Sequence, residues 1–450
     1  MRVMRLYALG VMLAHYARQR YGRGWSNREA FERWQSRRIG RHLKFVRKHS
    51  PYYRELWEGQ QLEAWKQLPM LDKKRMMDNF DQLNTVGIRK GEALQAAQAA
   101  EESRDFRLDV NGVTVGLSSG TSGSRGLFLA SAWERAAWAG TMLAKLLPGP
   151  IWRRERIAFF LRANSKLYES LGSRRLRFEY YDLMVPMNRH LDRLEAYQPT
   201  ILAAPPSVLR MLAEAQRDRR IAIQPKRVIA HAEVLDPIDR AIIESAFGTP
   251  LHQVYQCTEG FLACTCAHGT LHLNEDIVAI EKEYVDDSKR RFVPIVTDYT
   301  RVTQPIVRYR LNDLLTESDE PCPCGSVMTP IARIEGRCDD IFYLPHREDG
   351  SSIPIYPDYV SRAVIAVEGI EEYRIIQRAD DHIEAAIRVS DGMKQQAVER
   401  AVEASLLRLF ERSACKQPRL TFTAYRFEPG AVKLRRIERS QPHAAQRHAL

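Results

Sequence analysis

Residues 200–220 read TILAAPPSVLRMLAEAQRDRR, and residues 227–247 read RVIAHAEVLDPIDRAIIESAF. Each stretch begins with a short apolar run, which is typical of a buried strand, and continues with apolar residues at helical spacing. Strands that alternate with helices along a chain predict a layered α/β sheet. These two stretches therefore place the centre of the chain in the α/β class.

The same alternation extends in both directions from this centre. VTVGLSS at residues 113–119 and RIAFFL at residues 156–161 are predicted strands, whereas the pattern before residue 111 is mostly helical and polar. After about residue 337, a smaller unit combines the strand patterns YRIIQR and HIEAAIRV with a long helical pattern. We therefore predict a large layered α/β domain over residues 1–337, of which 1–110 are largely helical and basic, and a small α+β domain over residues 338–450.

The composition excludes several classes of protein. The 450 residues are 44% hydrophobic and 28% charged, with 24 Gly, 22 Pro and 7 Cys, which excludes collagen-like, disordered and disulfide-scaffold chains. No run approaches the roughly 20 apolar residues that a membrane-spanning helix needs. Five of the seven cysteines lie between Cys257 and Cys324, which favours a reducing compartment over a disulfide framework. The sequence therefore predicts a soluble, cytoplasmic protein.

The first 54 residues hold an excess of positive charge equal to that of the whole chain. They contain 14 Lys and Arg but only Glu29 and Glu32, while the chain has a net charge of +12. Such a basic region either binds nucleic acid, an anionic membrane surface or an acidic protein, or has no partner and is a solvated helical surface. No zinc-finger pair, RNP pattern or basic zipper is present in the sequence, so nucleic acid is not the expected partner.

The amino-terminal run MRVMRLYALGVMLAHYARQRYG superficially resembles a signal peptide. His15 interrupts its apolar stretch, and arginines follow instead of a small-residue cleavage site. Leu6, Leu9, Leu13 and Tyr16 recur at helical spacing, which predicts an amphipathic helix. This helix either packs on the body of the protein or makes peripheral contact with a membrane surface.

Residues 113–131, VTVGLSSGTSGSRGLFLAS, contain a loop rich in glycine and hydroxyl side chains. Glycines let the backbone approach an anion closely, while hydroxyls and backbone N–H groups donate to phosphate oxygens. The loop leads into a strand and lacks the lysine of a Walker P-loop, so it is either a different phosphate-binding loop or a flexible turn. Its candidate phosphate-binding residues are Ser118, Ser119, Gly120, Thr121, Ser122, Gly123 and Arg125.

Four further motifs follow this loop in order: VYQCTEG at 254–260, RYRLNDLL at 308–315, RIEGRCDDIFYL at 333–344 and PGAVKLRRIER at 429–439. Together with the loop, the ordered set resembles the adenylate-forming superfamily of acyl-CoA synthetases, adenylation domains and luciferases. The loop lacks the usual Pro-Lys and PCPCGSV precedes the third motif, so the chain is similar to the phenylacetate–coenzyme A ligase branch. Within it, the chain is similar to the aryl-acid:acyl-carrier-protein ligases of xanthomonad aryl-polyene pigment clusters.

The resemblance implies roles for the residues around VYQCTEG. Glu259 would hold Mg²⁺, which prefers carboxylate oxygens, and Thr258 would contact the α-phosphate of ATP. Tyr255 would stack on adenine, and the other side of the base would be lined by Ala232 and Glu233. His231, which replaces a small residue common at this position, either reaches the carboxylate or ring of an aryl acid or is a packed structural histidine.

The later motifs imply the remaining contacts and a mobile small domain. Asp313 would receive the ribose hydroxyls, because an ionised carboxylate only accepts hydrogen bonds, and Arg337 would be a second nucleotide contact. Asp339 matches the hinge between the two domains. Lys433 is the candidate catalytic lysine, although the family's preceding glycine is Val432 here. Lys416 is a fallback for that lysine.

Cysteines and histidines also occur at the spacing of a metal site. ACTCAHGTLHLNED at residues 263–276 contains two of each, and PCPCG at residues 321–325 contains two more cysteines. The resemblance favours a structural zinc site over scattered buried thiols, because related ligases carry zinc on this pattern. The implied ligands are Cys266, His272, Cys322 and Cys324, with Cys264 and His268 as the other candidates.

The resemblance implies an acid–thiol ligase that works in two steps. An aryl carboxylic acid, such as 3-hydroxybenzoate, reacts with ATP in the presence of Mg²⁺ to give acyl-AMP and pyrophosphate. The acyl group then passes to the phosphopantetheine thiol of an acyl carrier protein or, alternatively, to free coenzyme A. The basic amino-terminal region modestly favours an acidic carrier protein. A non-catalytic scaffold that binds nucleic acid or membrane is the alternative of another class, and it leaves the ordered motifs without a role.

Overall fold

A computed structural model describes most of the chain: residues 2–22 (backbone only for 2–5), 24–106, 108–118, 125–164, 175–427, 429 and 433–440. The fold class predicted from the sequence is confirmed, because a large mixed sheet with flanking helices is followed by a small α+β unit. Within these residues, no helix combines the length and apolarity needed to cross a membrane.

The amino-terminal part is helical, as predicted. Short polar side chains begin three of its helices, since Asn27, Ser50 and Asp72 accept hydrogen bonds from backbone N–H groups of the first turn. A 3₁₀ helix over Leu62–Gln67 lies among them. The helices are α1 (Arg2–Tyr21), α2 (Arg28–His49), α3 (Pro51–Leu56), α4 (Lys73–Asp78), α5 (Phe80–Leu83) and α6 (Lys90–Ser103).

Helix α1 packs on the body of the protein against α7 (Ala132–Leu146). The two helices cross closely at Gly140, where a Cβ atom would collide with the Met12 carbonyl. The expected apolar face of α1 is only partly used, because Tyr16 is buried whereas Leu6, Leu9 and Leu13 are exposed. Packing against a glycine needs backbone contact rather than a stripe of large apolar side chains, which explains the difference.

A three-stranded antiparallel sheet precedes α7 and carries the glycine-rich loop. It consists of β1 (Asp109–Val110), β2 (Val113–Leu117) and β3 (Leu127–Ala130). The backbone of Ser118 pairs with that of Gly126, so the two described ends of the loop lie side by side. Helix α7 begins with a capping box formed by Ser131 and Glu134.

The centre of the large sheet is parallel, in the order β8-β7-β6-β4-β5. The predicted alternation of strands and helices forms this part, because a parallel pair needs a long crossover connection. Its strands are β4 (Glu155–Leu161), β5 (Leu176–Asp182), β6 (Ile201–Ala204), β7 (Arg227–Ala230) and β8 (Leu251–Cys257). The helices between them are α8 (Asn188–Tyr197), α9 (Pro206–Arg217) and α10 (Pro237–Phe247).

Antiparallel strands extend the sheet beyond β8 in the order β9-β10-β15-β14-β12-β11, and β13 pairs with β12. These strands are β9 (Gly260–Thr265), β10 (Leu271–Leu273), β11 (Val278–Tyr284), β12 (Arg291–Asp298), β13 (Ile306–Arg310), β14 (Asp313–Glu317) and β15 (Pro330–Arg337). The change from parallel to antiparallel pairing occurs between β8 and β9, where a tight turn at Thr258–Glu259 reverses the chain.

The small unit begins with a 3₁₀ turn over Cys338–Asp340 and has its own hydrophobic core, centred on Tyr373, Val402 and Phe410. A four-stranded sheet of order β20-β19-β18-β21 packs against two helices. The elements of the small unit are β16 (Phe342–Pro345), β17 (Ser352–Ile355), α11 (Pro357–Ile365), β18 (Ile370–Ala379), β19 (His382–Val389), α12 (Gln395–Arg412), β20 (Arg419–Ala424) and β21 (Ile437–Arg439).

Candidate active site

A cavity of about 2590 Å³ lies at the carboxyl ends of β4, β6, β7 and β8. Ligands of α/β sheets bind at this edge, because loops that leave several strands converge there. The three-stranded sheet, the antiparallel strands and the small unit form its other walls. Most of the site residues predicted from the sequence line this one cavity: Ser118, Arg125, His231, Ala232, Glu233, Tyr255, Thr258, Glu259, Asp313, Arg337, Asp339 and Lys433.

Ser118 and Arg125, the two described ends of the glycine-rich loop, line the cavity. Ser119, Gly120, Thr121, Ser122 and Gly123 lie outside the described residues. Arg125 donates from Nε to the Ser118 carbonyl at 2.9 Å, and from Nη1 to Glu101 on α6 at 2.6 Å. The Arg125 charge, expected to face phosphate, is therefore compensated by an acid that the sequence pattern did not single out.

Thr258 and Glu259 form the turn after β8, at the edge of the parallel part. The Thr258 hydroxyl donates to Glu259 Oε2 at 2.9 Å, and the guanidinium of Arg301 donates to the Thr258 carbonyl. Burial lowers the pKa of Lys73, which lines the same cavity, while the Glu259 carboxylate opposes that shift. The turn thus presents a hydroxyl and a carboxylate to the cavity between two cations, Arg301 and Lys73, that lie in no predicted site.

Tyr255 and Asp313 face each other across the sheet. The Tyr255 hydroxyl donates to Asp313 Oδ2 at 2.5 Å, and Asp313 is paired with Arg337 in the β14–β15 register. Burial raises the pKa of Asp313, while the Tyr255 hydrogen bond and the Arg337 charge act in the opposite direction. Three of the residues expected to contact the nucleotide, Tyr255, Asp313 and Arg337, therefore form one connected group.

His231 follows β7 and is buried against an aromatic side chain. Its ring stacks on Phe159 with 5.0 Å between centroids and 25° between planes. Burial and the nearby Lys433 charge lower the pKa of His231 to about 4, so its imidazole is neutral at pH 7. Its Nε2 atom has no hydrogen-bond partner among the described residues, which leaves one polar atom at an otherwise aromatic wall.

Glu233 connects the two units instead of facing only the cavity. Its Oε2 accepts from the Ser207 backbone N–H at 3.2 Å, and its Oε1 accepts from the Leu434 N–H at 3.1 Å. Ala232 has a φ of +68°, a left-handed conformation that alanine rarely adopts. This turn directs the Glu233 carboxylate to the start of α9 and to the segment that contains Lys433. What Ala232 and Glu233 can still offer to the adenine base is therefore mainly their backbone.

Lys433 reaches the cavity from the small unit. Burial lowers the pKa of Lys433, while the nearby carboxylates Glu233 and Asp313 oppose that shift. The fallback, Lys416, is exposed and does not line the cavity. The structure therefore brings Lys433, and not Lys416, to the residues of VYQCTEG and RYRLNDLL.

The predicted hinge lies in the 3₁₀ turn between the units. Asn312 donates from Nδ2 to Asp339 Oδ2 at 2.5 Å, and Arg435 forms an ion pair with Asp340. Burial raises the pKa of Asp340 to about 6. Asp340 was not predicted, although its position beside Asp339 in the quoted motif was a usable signal.

A buried ionic network, here called the interdomain network, fixes the Lys433 segment to the large unit. Arg436 donates from Nη2 to Asp239 Oδ1 and Oδ2 at 2.8 and 2.7 Å, and from Nη1 to Glu372 Oε2 at 2.8 Å. Arg210 donates to the same Asp239 at 3.0 Å. The Tyr373 hydroxyl donates to Asp236 Oδ2 at 2.5 Å. No sequence pattern predicted this network.

A second cluster brings together the four residues predicted to bind zinc. Cys266, His272, Cys322 and Cys324 place one donor atom each within 4.8 Å of one another. The sulfurs of Cys266 and Cys322 are 3.6 Å apart, and Cys324 Sγ is 3.5 Å from His272 Nε2. Tetrahedral zinc with Zn–S distances of about 2.3 Å separates sulfurs by about 3.8 Å, so the donor set fits this metal.

The surroundings of the cluster support the choice among the six candidates. His272 Nδ1 lies 3.1 Å from the Met328 carbonyl, which orients the ring through its second nitrogen. Cys264 instead lies 3.4 Å from Asn274 Oδ1, and His268 is not part of the group.

Comparisons with known proteins agree with this architecture. No protein-family model matches the chain. The chain is 23% identical over 371 residues to protein CapK of Staphylococcus aureus, covering 79% of this chain and 78% of that protein. It is 24% identical over 224 residues to phenylacetate–coenzyme A ligase of Thermus thermophilus, covering 45% of this chain and 48% of that one.

A solved structure of 2-hydroxyisobutyryl-CoA ligase in the postadenylation state superimposes with a TM-score of 0.69 and 17% identity. The superposition covers 96% of this chain and 93% of that one, and therefore includes both units. The chain therefore shares its fold, a large mixed α/β unit followed by a smaller carboxyl-terminal unit, with this ligase.

Proposed function

We propose that this protein is an adenylate-forming acid–thiol ligase, which converts a carboxylic acid and ATP into acyl-AMP and then into a thioester. One observation carries the proposal: Lys433 of the small unit enters the cavity that holds Thr258, Glu259 and Asp313 at the carboxyl ends of the parallel strands. The names of the relatives, a coenzyme A ligase among them, support the same class of reaction.

The nucleotide would lie along the connected group of Tyr255, Asp313 and Arg337. Asp313 accepts hydrogen bonds from ribose hydroxyls, and the Tyr255 ring supports the base. Glu259 would hold Mg²⁺, which fits a carboxylate that faces the cavity beside a hydroxyl, and the ion would supply positive charge to the phosphates. The glycine-rich loop would close over the phosphates from its ends at Ser118 and Arg125.

In the first half-reaction, a carboxylate oxygen of the acid attacks the α-phosphorus of ATP. A new P–O bond forms, the bond to the β-phosphate oxygen breaks, and pyrophosphate leaves. The Lys433 ammonium and the Thr258 hydroxyl stabilise the charge on the α-phosphoryl oxygens, because preorganised donors act most strongly where charge develops.

In the second half-reaction, a thiol sulfur attacks the acyl carbon, the bond to the phosphate oxygen breaks and AMP leaves. The thiol loses its proton. We propose that the small domain, residues 338–450, turns about Asp339 between the two steps and that the large domain ends at residue 337. The superposition favours the domain arrangement that precedes this rotation. The TM-score is 0.69 against the postadenylation state and 0.56 against the thioesterification state of the same ligase.

The stacked pair of His231 and Phe159 favours an aromatic acid. Neutral imidazole on a phenyl face makes a flat apolar wall, and the open Nε2 atom offers one polar contact to a ring substituent. A hydroxybenzoate such as 3-hydroxybenzoate meets this description. The sequence resemblance to the aryl-acid:carrier-protein ligases of xanthomonad pigment clusters points to the same class.

The acceptor thiol belongs to an acyl carrier protein in our proposal, with free coenzyme A as the alternative. Exposed arginines of α2, such as Arg37 and Arg41, form a basic surface that would attract an acidic carrier. The names of the relatives support coenzyme A equally well. Transfer rates to both acceptors, measured with the same acyl-adenylate, decide between them.

We also propose that Cys266, His272, Cys322 and Cys324 hold a structural zinc ion, since four protein ligands leave no position for substrate. The seven cysteines, all within the described residues, form no disulfide with one another, which supports a cytoplasmic location.

The product nucleotide tests the proposed function. Incubation with ATP, Mg²⁺ and a panel of benzoates, phenylacetates and fatty acids should give AMP and pyrophosphate in an acid-dependent manner. Stoichiometric ADP, or no exchange of pyrophosphate with any acid of the panel, would contradict it.

A further inference from the structure

The lining of the same cavity includes apolar residues of β4 and α7, here called the apolar arm. Ile157, Phe159 and Leu161 of β4 span about 13 Å at roughly 3.3 Å per residue. The lining residues of α7 extend from Ala137 to Leu146, again about 13 Å at roughly 1.5 Å per residue. Small-molecule sites usually occupy about 300–1,000 Å³, so this cavity of about 2590 Å³ has room beyond ATP and one aromatic ring.

A group of three basic residues and one tryptophan, from α1 and α2, lines the same cavity. Its members, here called the distal cluster, are His15, Arg18, Trp34 and Arg38. The guanidinium carbons of Arg18 and Arg38 each lie 5.9 Å from the centre of the Trp34 ring. One tryptophan therefore holds two arginines in position, and the exposed Arg18 marks an opening to solvent.

The distal cluster has an unbalanced charge. Neither Arg18 nor Arg38 has an acidic partner among the residues that the structure describes. Burial and then the Arg18 charge hold the pKa of Arg38 below its ordinary value, and the pKa of His15 is lowered by burial and by both arginines. By contrast, Arg28 on the same helix α2 pairs with Glu275 at 2.7 Å.

One turn joins the distal cluster to the apolar arm. Asp276 in this turn lines the cavity and pairs with Lys145 of α7 at 3.0 Å, so its charge is already balanced. The neighbouring Glu275 carbonyl accepts from Gln35 of α2 at 2.7 Å and from Tyr299 at 2.6 Å. Trp34 packs edge-on against the same Tyr299. The turn thus fixes the cationic face of α2 beside the helix that lines the arm.

We propose that the distal cluster binds an anionic group at the far end of the substrate acid. The substrate is then an elongated acid, with the carboxylate to be activated beside Lys433 and Thr258 and a second anion, carboxylate or phosphate, at Arg18 and Arg38. This inference rests on the proposed function and extends its aromatic acid beyond a single ring.

Matched acids test the proposal through ATP–pyrophosphate exchange, which contains no thiol and so reports on the acid alone. Biphenyl-4,4′-dicarboxylate is compared with biphenyl-4-carboxylate, and sebacate with decanoate. A biphenyl carboxylate with a 4′-phosphonate group separates a preference for phosphate from one for carboxylate. A symmetric diacid has a twofold statistical advantage, because either of its two equivalent carboxylates can react. The wild type should prefer each dianionic acid by more than this factor, and added salt should weaken that preference.

The double variant Arg18→Gln/Arg38→Gln should raise the KM of the dianionic acids by about tenfold or more. The KM of the monocarboxylates should change less than twofold. Arg400→Gln/Arg408→Gln, at two exposed arginines of α12 that do not line the cavity, is the matched control and should leave both unchanged.

Three outcomes would separate the claims. Exchange with benzoates alone, or equal use of mono- and dianionic acids by the wild type, would overturn the distal site while leaving the ligase standing. An unchanged preference in the double variant would do the same. Absence of exchange with every acid would instead contradict the proposed function itself.

Discussion

Two groups of arginines in this molecule differ in how their charge is balanced. Arg436 and Arg210 are buried in the interdomain network, where Asp239 and Glu372 accept most of their hydrogen bonds. Arg18 and Arg38 share the face of Trp34 and have no acidic partner within the described part of the chain. A cation that the fold balances holds the structure together, whereas a cation that the fold leaves unbalanced is available to a ligand.

The charge of Lys433 is balanced only in part, which places this residue between the two groups of arginines. Glu233 and Asp313 lie near it, but burial still lowers its pKa. If its charge serves the α-phosphoryl group, Lys433→Ala should slow acyl-adenylate formation by about 10²–10³, the usual cost of one preorganised electrostatic contact. The variant should still transfer the acyl group from chemically supplied acyl-adenylate. Lys416→Ala, at the exposed lysine outside the cavity, is the control and should match the wild type in both assays.

The balanced side of the comparison is tested at Arg436. Arg436→Met leaves Asp239 with Arg210 alone, and breaking a buried ion pair costs roughly 3–5 kcal/mol. We expect adenylation to fall about 10²-fold because the Lys433 segment is no longer held, with a lowered thermal midpoint.

Arg388→Met is the matched control for Arg436, since Arg388 pairs with Glu214 across the same interface and with Glu372 of its own unit but is 45% exposed. Exposed pairs contribute roughly 0–1 kcal/mol, so its adenylation rate should stay within about threefold of the wild type. Equal effects of the two variants would remove the distinction between a buried and an exposed pair at this interface.

These residues also show what the sequence could and could not predict. Strands and helices of the parallel sheet were predictable because their apolar periodicity is local, and the four-residue Cys/His group was predictable from short pairs and a resemblance. The Arg436–Asp239 pair joins residues 197 positions apart, and no local pattern encodes such a partner. For the same reason Arg301 and the distal cluster were missed, although the clustering of arginines before residue 55 was visible.

The comparison between balanced and unbalanced polar groups extends to a buried histidine, His42. His42 is buried beside Arg38, its Nε2 atom has no partner among the described residues, and burial lowers its pKa to about 4. Because the folded pKa lies below the unfolded one, the unfolded state binds more protons between pH 6.5 and 4, and stability falls as the pH falls. The free energy of unfolding of the wild type should fall more between pH 7 and pH 5 than that of His42→Leu, by about 2 kcal/mol.

Urea unfolding of both proteins at the two pH values measures this difference. His49→Leu, at an exposed histidine of the same helix, is measured in parallel as the matched control. Parallel curves for His42→Leu and the wild type would show that His42 is not held neutral.

The thiol cluster gives the smallest expected effect on catalysis. Freshly purified protein should contain about one zinc ion per chain, and Cys322→Ser should lower both the metal content and the thermal midpoint. ATP affinity should change less than twofold, because the cluster does not line the cavity. Cys415→Ser, at a buried cysteine outside the cluster, should keep its zinc. Metal analysis that finds no zinc in never-chelated wild type would remove the site.

The fate of the carboxylate oxygens tests the central claim most directly. An acid labelled with ¹⁸O in its carboxylate is converted to the thioester, and the released nucleotide is analysed by mass spectrometry. If the carboxylate attacks the α-phosphorus and the thiol then expels AMP, one labelled oxygen per turnover must appear in AMP. Label in inorganic phosphate, or unlabelled AMP beside labelled thioester and water, would contradict an acyl-adenylate intermediate.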